Sequence, residues 1–138
     1  MWQGIKNIYH LFVAVLANCW YGFPGRKLTI VGVTGTDGKT TTSSLVYHIL
    51  KENNYPVSLI STVSALIHGK ESDTGFHVTN PAPFALQRFI AQAVAKKDAF
   101  LVLEVTSHGL DQNRVWGVPF TIGVLTNVSH EHLDYHKT

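Results

Sequence analysis

Hydrophobic and polar positions along this chain fall into blocks whose period changes from strand-like to helical and back. Leu28 to Val33 is a short apolar run rich in β-branched residues, a pattern that predicts a strand. The run breaks into a glycine-rich stretch. From Thr40 onward Leu45, Val46, Ile49 and Leu50 recur at helical spacing, until Asn53-Asn54 and Pro56 supply a stop. A second strand is expected over Val57 to Ser61. Between Thr62 and Pro83 the glycines, Pro81 and many polar residues predict a long excursion with a short hairpin around His68 to Lys70. Such long loops are often functional. A second helix is predicted from Pro83, with Leu86, Phe89, Ile90, Ala93 and Val94 on one stripe. It ends near Lys96-Lys97, where positive charge suits the carboxyl end of a helix dipole. Phe100 to Leu103 and Ile122 to Leu125 are continuous apolar runs, as expected of strands buried on both faces of a parallel sheet.

Repeated strand-helix-strand alternation predicts an α/β fold with a mainly parallel sheet flanked by helices. Ligands of such sheets gather at the carboxyl ends of the strands. The polar clusters Thr34 to Thr42, Glu104 to His108 and Asn127 to His136 fall there. Ahead of the first strand, the apolar stretch Ile8 to Trp20 is about 13 residues long, shorter than the roughly 20 needed to span a bilayer. It is interrupted by His10 and Asn18 and ends in the bulky Trp20-Tyr21-Gly22-Phe23-Pro24 instead of a small-residue cleavage site. We expect an amphipathic helix packed on the domain, residues 1 to 27 forming that helix and a linker, and residues 28 to 138 forming the domain itself.

Composition narrows the partners. With 45% hydrophobic and 14% charged residues the chain has the make-up of a globular protein. A net charge of only +2, with no run of Lys or Arg, argues against nucleic acid and for small-molecule partners. The single cysteine, Cys19, excludes an internal disulfide and suits a cytoplasmic location.

The most specific chemistry lies in Gly32-Val33-Thr34-Gly35-Thr36-Asp37-Gly38-Lys39-Thr40-Thr41-Thr42. Placed between a strand and a helix, such a stretch predicts a phosphate-binding loop: glycines let successive amides point into one concavity at the positive end of the helix. Lys39 is expected to neutralise the β and γ phosphates of a bound nucleotide, and the Thr40 hydroxyl to bind Mg²⁺. The general pattern G-x-x-x-x-G-K-[ST] asks for glycine at position 33, where this chain has valine.

Residues 34 to 42 instead resemble the ATP-binding signature T-G-T-N-G-K-[ST]-[ST] of the Mur ligase family, with Asp37 in place of the more frequent asparagine. Glu104-Val105-Thr106-Ser107-His108-Gly109-Leu110-Asp111-Gln112-Asn113-Arg114-Val115 and Leu125-Thr126-Asn127-Val128-Ser129-His130-Glu131-His132-Leu133-Asp134-Tyr135-His136 are similar to two further segments of its MurE branch. The resemblance runs from about Leu28 to Thr138 and implies a phosphate-loop NTPase-like central domain. It implies that Gly35, Thr36, Asp37, Gly38, Lys39, Thr40 and Thr41 bind ATP, and that Thr40 and Glu104 hold Mg²⁺. His132 is similar to the histidine that helps hold a second Mg²⁺. Thr79 and Asn80, with Ser107, Gln112 and Arg114, fall where the family contacts its sugar-peptide substrate. From charge patterning alone, Arg114 is equally a surface helix charge.

The implied reaction is ATP-dependent formation of an amide bond. A carboxylate of a UDP-N-acetylmuramoyl-peptide precursor of peptidoglycan is phosphorylated to an acyl phosphate, which the amine of an amino acid attacks. The resemblance also implies that a carboxy-terminal part of the enzyme, with a further lysine and the amino-acid site, lies beyond Thr138, so that this stretch alone does not ligate. Only about 27 residues precede the first strand, fewer than the separate UDP-holding domain of the MurE type. A Mur-like ligase for another carboxylate, or a nucleotide-binding domain without ligase activity, therefore stays open.

Overall fold

The computed structural model describes residues 2–61, 64–72 and 82–129. Its elements, in chain order, are α1 (Trp2–Tyr21), a 3₁₀ turn (Pro24–Lys27), β1 (Thr29–Thr34), α2 (Lys39–Glu52), β2 (Val57–Ile60), β3 (Ala65–Ile67), β4 (Lys70–Ser72), α3 (Pro83–Ala95), β5 (Phe100–Glu104), α4 (Ser107–Asp111) and β6 (Phe120–Leu125). They form one sheet in the order β4-β3-β2-β5-β1-β6. The pairs β2·β5, β5·β1 and β1·β6 are parallel, and β2·β3 and β3·β4 are antiparallel. The expected α/β architecture is therefore present, with an antiparallel hairpin on one edge.

Alternation along the central strands divides the core in two. Ile30, Leu101 and Leu103 face α3, joining Leu86, Phe89, Ile90 and Ala93. Val31, Val33, Val102 and Leu59 point the other way, onto Tyr47, with Val46 and Leu50 packed beside it. A residue period of two sends neighbours to opposite faces, so both faces of β1 and β5 need cover and the helices supply it. Helix α1 lies outside α3. Its Ala14, Ala17 and Asn18 are buried, and the Asn18 amide donates to the Trp116 carbonyl at 2.9 Å.

Two expectations need correction. The buried face of α2 is made by Ser43, Val46, Tyr47 and Leu50, while Leu45 and Ile49 are 58% and 62% exposed. An apolar pair one residue along a helix is turned about 100°, so only half of the predicted stripe can meet the sheet. Ile122 to Leu125 lies in a strand, but not one buried on both faces: β6 is the sheet edge among the described residues, and Ile122 and Leu125 are 50% and 63% exposed. A continuous apolar run marks suitability for a covered strand, not the presence of the cover.

The predicted hairpin is present. His68 and Gly69 both have positive φ, 49° and 76°, as a two-residue turn matched to strand twist requires. The turn is tied down by the His68 N–H donating to Ser58 Oγ at 3.0 Å and by His68 Nδ1 lying 2.7 Å from Oδ1 of the buried Asp98.

Candidate functional site

At the carboxyl ends of β1, β5 and β6 the chain builds a loop around a helix amino terminus. Strand β1 stops at Thr34, and Gly35 and Gly38 take φ of 140° and 75°. Helix α2 then begins at Lys39 with Gly38 as its N-cap and no side-chain cap, so the orphan amides of its first turn are directed toward the loop. The glycines serve different ends. A Cβ on Gly35 would lie 2.0 Å from Thr126 Oγ1, whereas one on Gly38 would meet nothing within 4 Å. Gly32 is a strand residue, and its missing side chain makes room for the Phe120 ring of β6, 2.6 Å from where a Cβ would stand. Val33, the departure from the general pattern, is fully buried in β1 and belongs to the core.

The Lys39 ammonium donates to the carbonyls of Gly35 and Thr36, both at 2.7 Å. It therefore lies across the loop and has a third proton to give. Behind it, the Thr40 hydroxyl donates to Glu104 Oε2 at 3.0 Å. Glu104 is 2% exposed, at the end of β5 and in register with Val33 of β1. It is neither a helix cap nor a surface carboxylate. The sheet register brings Thr40 and Glu104, 64 residues apart, into contact.

The segment after β6 closes the loop from the other side. The Thr126 hydroxyl donates to the Asp37 carbonyl at 2.6 Å, with the Thr34 carbonyl at 3.2 Å. The Asp37 N–H donates to Asn127 Oδ1 at 2.8 Å, and the Thr36 N–H donates to the Asn127 carbonyl at 3.2 Å. Thr36 Oγ1 accepts from the Ser129 N–H at 3.0 Å. The sequence places Asn127 in a polar cluster at a strand end and gives Thr126 and Asn127 no role of their own. The only signal was a Thr-Asn pair directly after a strand, and its partners are about 90 residues away.

Of the expected substrate residues, Gln112 and Arg114 are brought together: Arg114 Nε donates to Gln112 Oε1 at 2.9 Å. Both are half-buried in the turn that follows α4, so Arg114 is not a helix-surface charge. Ser107 opens α4, whose cap is the Thr106 hydroxyl accepting from the Gly109 N–H at 3.1 Å. Thr79, Asn80 and His132 lie outside the described residues. Among the described residues no group of three His, Cys, Asp or Glu side chains could hold a metal by itself, and no helix is long and apolar enough to cross a membrane.

Comparison with known proteins gives this geometry a family. The model of the Mur ligase middle domain matches residues 33–138. The UDP-N-acetylmuramoyl-L-alanyl-D-glutamate--2,6-diaminopimelate ligase of Parabacteroides distasonis is 42% identical over 126 residues, covering 91% of this chain and 26% of that protein. UDP-N-acetylmuramyl-tripeptide synthetase 2 of Oceanobacillus iheyensis is 40% identical, covering 90% of this chain and 25% of that protein. The chain thus spans about a quarter of the length of these curated relatives. A solved UDP-N-acetylmuramoyl-L-alanyl-D-glutamate--2,6-diaminopimelate ligase superposes with a TM-score of 0.70 at 33% identity, over 80% of this chain and 22% of that one. The E. coli FolC structure, in complex with DHPP and ADP, shares the fold, with a TM-score of 0.71 at 20% identity, over 91% of this chain and 35% of that one.

Proposed function

This chain belongs to the Mur ligase family, and from that premise we propose that it supplies the ATP-binding part of a ligase. That enzyme joins an amino acid to a UDP-N-acetylmuramoyl-peptide through an acyl phosphate, in the cytoplasm, together with a carboxy-terminal part that presents the amino acid. Residues 28–138 carry the nucleotide chemistry, and residues 1–27 are a helical adjunct. The observation that carries the reading is the contact between Thr40 and the buried Glu104 directly behind Lys39 and the loop.

The difficulty of the reaction is electrostatic, since a carboxylate must meet a polyphosphate and negative charge must be stabilised on the transferring group. Gly35, Thr36, Asp37 and Gly38 frame the phosphate site, the first-turn amides of α2 supply its backbone donors, and Thr41 continues it. Lys39 holds the β and γ phosphates with the proton not given to loop carbonyls, and exchanges a carbonyl for a phosphate oxygen where a second donor is needed. Thr40 and Glu104 offer two oxygens, donors that suit a hard ion such as Mg²⁺. Held there, the ion would neutralise negative charge on the phosphates. His132 would help hold a second ion. Thr79, Asn80, Ser107, Gln112 and Arg114 orient the muramoyl-peptide, the Arg114 guanidinium being suited to a carboxylate or phosphate.

Lys39→Ala tests the reading. Calorimetric titration with Mg-ATP is expected to show affinity reduced by at least about 100-fold. In the extended enzyme, phosphate release that depends on both an amino acid and UDP-muramoyl dipeptide should fall to background. Binding and turnover at the wild-type level would remove Lys39 from the mechanism. Phosphate release with a different carboxylate only would transfer the activity to another substrate.

A further inference from the structure

We propose that Thr126 and Asn127, at the carboxyl end of the edge strand β6, are positioning residues that hold the phosphate loop in its binding shape; the inference rests on the nucleotide-binding reading above. Within the loop, Lys39 holds the Gly35 and Thr36 carbonyls but not Asp37. Gly35 and Gly38 free the backbone at both ends, and α2 lacks a side-chain cap. The shape at Asp37 must come from outside. Both backbone groups of Asp37 are taken by this pair: its N–H by Asn127 Oδ1 at 2.8 Å and its carbonyl by the Thr126 hydroxyl at 2.6 Å. The Thr36 N–H is held by the Asn127 carbonyl, and Thr36 Oγ1 by the Ser129 N–H. The fit is close enough that Gly35 cannot carry a Cβ without meeting Thr126 Oγ1.

A consequence for ligand binding follows from donor count. Each N–H has one proton, so amides of Thr36 and Asp37 turned toward Asn127 are not turned toward a phosphate. The donors that remain are those at the start of α2 and the Lys39 ammonium. Thr126 and Asn127 therefore fix the Asp37 carbonyl and the Thr36 and Asp37 amides on their own side of the loop and leave the helix end uncovered. Loss of the Thr126 hydroxyl frees the Asp37 peptide to rotate, and a loop that must be ordered on binding binds more weakly.

The variants Thr126→Val, which keeps the shape and removes the hydroxyl, and Thr126→Ser, which keeps the hydroxyl, separate positioning from packing. In calorimetric titrations with Mg-ATP, Thr126→Val is expected to bind about tenfold more weakly, and Thr126→Ser within about threefold of wild type. Amide exchange at Asp37, followed by NMR without nucleotide, should be faster in Thr126→Val and in Asn127→Ala, with thermal midpoints close to wild type. Wild-type affinity in Thr126→Val, or equal weakening in the valine and serine variants, would overturn the proposal while leaving Mg-ATP binding by the wild type intact. A wild type that does not bind Mg-ATP overturns the nucleotide reading itself, and this inference with it.

Discussion

Gly35 and Gly38 stand three positions apart in the same loop, both with positive φ, and they should respond very differently to one added methyl group. At Gly38 the extra Cβ meets nothing within 4 Å. Gly38→Ala therefore carries only the strain of a left-handed alanine, about 1–2 kcal/mol, seen as a drop of a few degrees in the thermal midpoint. At Gly35 the Cβ would overlap Thr126 Oγ1 at 2.0 Å and crowd Asn127 backbone atoms at 2.9 and 3.0 Å. The threonine stem is too short to turn aside, so Gly35→Ala should push the 126–129 segment off the loop. The expected result is loss of measurable Mg-ATP binding by calorimetry, and an affinity equal to wild type would show that this packing does not matter. Asp37 gives a milder case. Its carboxylate is exposed beside the loop, and removing it with Asp37→Asn should tighten Mg-ATP about threefold at low salt and less at high salt, where exposed charges are screened.

The elements differ in how far their sequence announced them. Helix α3 was legible, stripe and ends alike, because Leu86, Phe89, Ile90 and Ala93 all meet one surface. Helix α2 was legible as a helix but not in its orientation: the polar Ser43 and the amphipathic Tyr47 take the buried side, and the hydrophobicity of Leu45 and Ile49 carries no information about which side faces the sheet. The glycine loop was legible because strand, glycine turn and helix occur in chain order, and Glu104 was singled out by the family motif that it opens and by its place after four apolar strand residues. The hold of Thr126 and Asn127 on that loop was not, since it is a contact through space decided by β6 lying next to β1. Helix α1 offers a test by pH. His10 is held below its ordinary value of 6.5, first by burial and then by the positive Arg114 and Lys6. A base that takes up its proton less readily when folded contributes full stability above 6.5 and loses it as pH falls through that value toward the depressed folded one. The thermal midpoint should decline from pH 7.5 to pH 5.5, and His10→Gln should make that decline shallower. An unchanged slope would show that His10 titrates alike in the folded and unfolded chain.

Across the whole molecule the sheet order places β1 between β5 and β6, so that three strand ends converge on a single loop. β1 delivers Thr34 and Gly35, β5 delivers Glu104, and β6 delivers Thr126 and Asn127. A ligand bound to that loop is coupled to all three strand ends through the loop's own hydrogen bonds, so its binding energy stabilises them against unfolding together. At Mg-ATP concentrations about 100 times the dissociation constant, linkage contributes about 2.7 kcal/mol. For a domain of this size that is a rise on the order of 10 °C in the thermal midpoint. The two protein oxygens assigned to the ion come from different elements, Thr40 on α2 and Glu104 on β5. Part of the rise should therefore vanish with chelator, and Glu104→Gln, which removes the charge and keeps the size, should reduce the shift in Mg²⁺ to the level seen with chelator. If Glu104→Gln kept a full magnesium-dependent shift, the ion would be held elsewhere, and the contact at 3.0 Å between Thr40 and Glu104 would be a fastening between helix and sheet instead of half of a metal site.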